Sequence, residues 1–191
     1  MNKVGTHLKR FFPFYLIWAA VSSFILIWVF AVLTKPTEDE KVDFFVCTNV
    51  VDRPGFEKFI NENKPAYLKE VNANFIEDNN FIFSQNLSTY GDQVADIYIM
   101  NKDKFDIVTG KENYFYKLEE NKSKELFGNE IEFYKVETNQ IYAIKITCEF
   151  IDSDNLYLGF AKKSNHLKGL KDGGFSGAIE LAQKFIKYEK K

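Results

Sequence analysis

KVDFFVCTNVVDRPGFEKFINENKPAYLKEVNANFIE, residues 41–77, changes its hydrophobic period twice and so decides the fold class. Residues 41–48, KVDFFVCT, form a short Val- and Phe-rich run between a charged segment and Asn49, the pattern of a buried strand. Asp52 can then cap a helix whose first turn holds Pro54, and Phe56, Phe59 and Ile60 recur at helical spacing. Pro65 lacks an N–H and has a fixed φ, which implies a kink or a restart, with Tyr67, Leu68 and Val71 continuing the apolar face. Residues 72–77, NANFIE, form a second strand. Strand, helix and strand in that order favour a right-handed parallel crossover.

The pattern continues outward in both directions. Residues 78–94 are polar and irregular, with turn signals at Asn79-Asn80 and Tyr90-Gly91-Asp92 and a short helix to house Phe81, Ile82, Phe83 and Leu87. ADIYIM, residues 95–100, is the clearest third strand, and Asn101 starts a short helix carrying Phe105, Ile107 and Val108. A helical turn over 122–127 precedes Gly128. Residues 131–136 and 140–150 alternate as a hairpin about Thr138-Asn139, and 155–162 is a further strand. After Gly173-Gly174, the residues Phe175, Ala178, Ile179, Ala182, Phe185 and Ile186 define a last amphipathic helix, with Lys184, Lys187 and Lys190 at its end. The sum is an α/β domain over residues 41–191, a mixed sheet with flanking helices.

Before that domain, residues 11–33 hold no charged side chain. At about 1.5 Å per residue they make a helix of about 34 Å, enough to cross a hydrocarbon core of about 30 Å. Lys3, Lys9 and Arg10 precede the run and Glu38, Asp39 and Glu40 follow it, so residues 1–10 read as a cytoplasmic arm and the remainder as extracytoplasmic. A secretory signal core is shorter, about 7 to 15 residues, and no small-x-small cleavage site follows, which favours an uncleaved anchor in the cell membrane. Residues 34–40 read as a polar linker. The lipid bilayer is therefore the first partner expected. Abundant Lys, Asn, Ile, Phe and Tyr with scarce Pro and Ala fit a low-GC bacterial genome.

After the span, 22 Lys and Arg stand against all 27 acidic residues, a net charge of −5 that gives no footing for nucleic acid. Cys47 and Cys148 sit in apolar segments; an extracytoplasmic setting permits a disulfide, and two small core residues is the favoured alternative. Neither CxxC nor HExxH is present, and His166 lies in a lysine-rich loop without a nucleophile turn to serve. Gly173-Gly174 has no following lysine of a phosphate loop. No catalytic residue, metal or cofactor is therefore expected. Asp96 reads as a solvated residue at the start of a strand, and the strand tyrosines as core packing.

Three stretches carry a resemblance: KVDFFVCTNVVDRPGFEKFINENK, ADIYIMNKDKFDIVTG, and IYAIKI followed by NLYLGFAKKSNHLKGLKDG. They resemble one lobe of the type II extracellular solute-binding proteins, which implies a small solute held outside the cytoplasm. Independently, ligands of open α/β sheets bind beyond the carboxyl ends of strands. That rule selects Thr48, Asn49 and Asp52 after the first strand, Asn101 and Lys102 after the third, and Lys163, Ser164 and Asn165 after the last. Such groups suit a ligand with hydroxyl or carboxylate groups. The expected function is non-catalytic binding or sensing of a small solute; the alternative is an accessory protein that contacts other envelope proteins and binds no ligand.

Overall fold

The structure, a computed structural model, describes residues 3–136 and 140–186 in two compact units, Met1–Pro36 and Thr37–Lys191. The first unit is one helix, α1 (Lys3–Thr34). Its Phe12–Thr34 portion alone, among the described residues, is long and apolar enough to cross a membrane. The helix begins well before the apolar run, so Pro13 lies inside it rather than in its first turn, where its missing N–H removes one helical hydrogen bond.

The second unit starts earlier than the linker drawn over residues 34–40 would allow. Glu38–Glu40 form a 3₁₀ turn in which Thr37 N–H donates to Glu40 Oε2 at 3.2 Å and Glu40 N–H to Thr37 O at 2.9 Å. Glu40 also pairs with Lys69 Nζ at 2.8 Å, so these acidic residues dock instead of floating.

Strand β1 (Lys41–Cys47) is buried on both faces, which is why its apolar residues run on rather than alternate. Helix α2 (Arg53–Glu62) starts where Asp52 Oδ1 accepts from Gly55 N–H at 2.9 Å. It does not restart after Pro65. A turn closed by Leu68 N–H to Pro65 O, 3.0 Å, buries Leu68 and leads straight into β2 (Glu70–Ile76). Residues 80–94 are more helical than expected: α3 (Asn80–Asn86), capped by Asn79, passes through a π turn at Leu87–Gly91 into α4 (Asp92–Val94). Gly91 sits inside this run because a Cβ there would stand 3.0 Å from Leu87 and 3.3 Å from Tyr98. There follow β3 (Ile97–Asn101), α5 (Lys102–Ile107), α6 (Lys111–Tyr114), α7 (Glu120–Phe127), β4 (Phe133–Lys135), β5 (Ile141–Ile146), β6 (Leu156–Phe160) and α8 (Gly177–Ile186). The turn expected at Thr138-Asn139, and Lys187 and Lys190, lie outside the described residues.

The strands form one six-stranded sheet in the order β2-β1-β3-β6-β5-β4. The first three are parallel and the last three antiparallel, joined where β3 meets β6. Tyr134 faces Ala143 and Lys135 faces Ile141, so Tyr142 is the extra residue of a bulge. The sheet carries a core on each side. One holds Val42, Phe44 and Val46 with Phe56 of α2 and Phe185 of α8; the other holds Phe45 and Cys47 with Phe83, Phe105 and Phe115.

The two cysteines fall on opposite sides of this sheet, Cys47 in the second core and Cys148 against the first, and both are free. Burial pushes the Cys47 thiol up to about 12 and that of Cys148 up to about 11. Because the thiolate is the reactive form, neither is expected to alkylate at neutral pH until the chain is denatured, when both should label. Fast labelling of either in the folded protein, read by intact mass, would contradict this packing.

Candidate functional site

In the order β2-β1-β3 the chain leaves β1 to one side and returns on the other, so the carboxyl ends of β1 and β3 border a crevice. Two of the expected residues meet there. Thr48 Oγ1 donates to Asn101 Oδ1 at 3.0 Å, and Ser153 Oγ donates to the same oxygen at 2.7 Å. That leaves the Asn101 amide nitrogen without a protein partner among the described residues. Thr48 is buried and Asn101 half-buried. Lys102 N–H bonds Asn155 O at 3.0 Å, which fixes the third wall.

Beside it, between the end of β3 with α5 and the segment before β6, lies a depression of ≈ 480 Å³ lined by Asn101, Lys102, Asp103, Asp106, Ser153, Asp154 and Asn155. Lys102 Nζ lies 3.4 Å from Asp106 Oδ2, and Tyr134 Oη donates to Asp106 Oδ1 at 2.7 Å. Three carboxylates thus surround one already paired ammonium. Asp52 is spent on its helix cap, and Asn49 is exposed with its carbonyl accepting from Asp152 N–H at 3.2 Å. Ser153, Asp103, Asp106, Asp154 and Asn155 were missed by sequence reasoning. Asp103 and Asp106 follow β3 on α5, and the antiparallel direction of β6 brings Ser153, Asp154 and Asn155, the residues before that strand, to the same end of the sheet.

The same direction carries Lys163, Ser164 and Asn165 to the opposite end of the sheet, since the loop after an antiparallel strand lies where its parallel neighbours begin. Lys163 pairs with Asp92 at 2.9 Å. Ser164 Oγ donates to Asp96 Oδ1 at 2.5 Å and accepts from His166 N–H at 3.0 Å, while Asn165 O accepts from Phe175 N–H at 2.8 Å. Asp96 is 9% exposed, not a solvated strand start, and Asp96 Oδ2 accepts from Asp43 N–H at 3.1 Å. Burial pushes its carboxyl above the ordinary range, against the hydrogen bonds from Ser164 and Asp43 and the charge of His166.

His166, in its lysine-rich loop, is buried too. Its Nε2 lies 2.9 Å from Glu38 O, and its Nδ1 has no hydrogen-bond partner. Asp96, Ser164 and His166 are neighbours without being a triad. The serine proton goes to the aspartate and the imidazole is turned away, which leaves Ser164 without a base.

A larger concavity, ≈ 680 Å³, lies between the end of α7, β5 and Ile186. Lys145 and Glu132 on its rim pair with each other at 2.8 Å. Among the described residues no group of three or more His, Cys, Asp or Glu could hold a metal ion. No family model, curated protein or solved structure matches the chain.

Proposed function

We propose that the chain is a single-pass protein of the cell membrane that binds a small polar solute outside the cytoplasm without transforming it. The basic residues before the apolar run of α1 and the acidic residues after it support the orientation. The observation that carries the binding reading is the convergence of the Thr48 and Ser153 hydroxyls on Asn101 Oδ1 at the carboxyl end of β3, beside a depression that Asn101 and Ser153 line, with the Asn101 amide left to donate. The three carboxylates of that depression, Asp103, Asp106 and Asp154, disfavour a carboxylate ligand and suit one rich in hydroxyl or amine groups.

Thermal unfolding of the full chain in detergent, with a panel of sugars, polyols and amines, tests the reading. A ligand at about a hundred times its Kd stabilises by roughly 2.7 kcal/mol, and Asn101→Ala should abolish that shift. A reporter active only outside the cytoplasm, fused after Lys191, tests the orientation. The accessory-protein reading draws on Phe81 and Val51, 78% and 61% exposed. A panel without any shift, together with envelope proteins crosslinked at Phe81, would favour it.

A further inference from the structure

Phe175 is an anomaly: a large ring left 39% exposed by a loop that is firmly bonded. Its N–H donates to Asn165 O and its carbonyl accepts from Lys168 N–H, both at 2.8 Å. Gly174, at φ 76°, lets the loop pass so close to Asn165 that a Cβ would lie 2.3 Å from its carbonyl oxygen. Tyr67, 40% exposed, lies beside it with ring centroids 6.3 Å apart and its hydroxyl 3.4 Å from Ser176 Oγ. Two rings are therefore held in place yet kept half in solvent.

Their position explains what they are for. The Phe175 ring is 5.8 Å from that of His166, whose Nε2 touches Glu38 O at 2.9 Å, one residue past Thr37. Only Lys35 and Pro36 separate Thr37 from Thr34, the end of α1, and three Cα steps of 3.8 Å reach at most about 11 Å. If α1 crosses the bilayer, as the proposed function requires, the headgroup layer lies within reach of the rings.

We propose that Tyr67 and Phe175 form a lipid-contact patch that inserts into the headgroup layer of the membrane in which the chain is anchored. The amphipathic ring of Tyr67 favours that layer, and the half-exposed apolar ring of Phe175 leaves water by entering it. Nearby charges are mixed, with Lys64, Lys69 and Lys168 against Glu38, Asp39 and Asp172, so the contact rests on the rings and not on attraction to anionic lipid.

The test uses the full chain in phosphatidylcholine nanodiscs with nitroxide on the headgroups, after both native cysteines are replaced by alanine. A fluorophore at Lys168→Cys reports the patch and one at Asn155→Cys the other end of the sheet. Stronger quenching at 168 than at 155, unchanged by salt, is expected. Tyr67→Ser with Phe175→Ser should lose the difference, and Trp at both positions should restore it. Equal quenching at the two sites, in a chain that stays with the disc, overturns the patch while leaving the anchor intact. Quenching that salt removes overturns the aromatic basis. A chain that leaves the disc sinks the spanning reading, and the patch with it.

Discussion

Phe56→Ala is expected to destabilise the second unit by about 3–5 kcal/mol, the usual cost of emptying a buried aromatic site. Phe56 is fully buried where α2 meets the sheet. Its ring lies 6.0 Å from Phe44 of β1, 5.6 Å from Phe75 of β2, 6.4 Å from Phe150 and 5.5 Å from Phe185 of α8, the last stacked and the others edge-on. Truncation would open a void that four elements share, and none can close it without moving the others. Typical domains are stable by only about 5–15 kcal/mol, so the variant should unfold at a much lower urea concentration with an unchanged slope. Phe56→Leu should recover more than half of the loss. A change below about 1 kcal/mol for the alanine variant would mean that α2 does not pack as described.

The reason Phe56 could be singled out early is that local chemistry dictates its helix. Asp52 caps it, Pro54 suits its first turn, and Phe56 and Ile60 repeat at one face; the same holds for α8. Strand β1 was legible for a related reason, since a continuous apolar run without alternation belongs in the middle of a sheet. Strand direction was not legible. Whether β6 runs with or against β3 depends on which neighbour it pairs with across the sheet, a choice no residue within NLYLGFAK expresses. That single unknown divided the expected site, leaving Thr48, Asn49, Asp52, Asn101 and Lys102 at one end and sending Lys163, Ser164 and Asn165 to the other. The π turn was hidden likewise, because Tyr90-Gly91-Asp92 has the composition of a turn and only the approach of Leu87 and Tyr98 makes glycine necessary within a helix. Asp96 looked solvated because polar side chains usually are, and nothing near His166 in the sequence marked it as buried; their partners are 53 and 128 residues distant in sequence.

Asp96→Asn should remove a pH dependence that the wild-type protein carries. Burial lifts the carboxyl of Asp96 above its ordinary 3.8 in the folded chain. The folded state therefore keeps this proton at pH values where the unfolded chain has released it, and the contribution of this group to wild-type stability falls as pH rises from about the ordinary value to the raised one. Below that window both states are protonated, and above it both are ionised, so the curve is flat at each end with respect to this group. Inside it the slope is at most about 1.4 kcal/mol per pH unit for one proton. Glu40, held below its ordinary range mainly by the hydrogen bond from Lys69, acts in the opposite sense, but it is common to both proteins. The other groups around Asp96 are common too: Asp43, Lys41 at 2.8 Å from Asp43 Oδ2, His166, and Tyr90, whose phenol burial and Asp43 hold above its usual range. Asparagine retains an oxygen to accept from Asp43 N–H, and its amide can donate to Ser164 Oγ once that hydroxyl turns its own proton elsewhere. Urea denaturation of both proteins from pH 4 upward should thus give a stability difference that grows in favour of the variant across the window and is constant beyond it. Parallel curves throughout would mean that Asp96 ionises as freely in the folded protein as in the unfolded chain, and that the network at this end of the sheet is open to water.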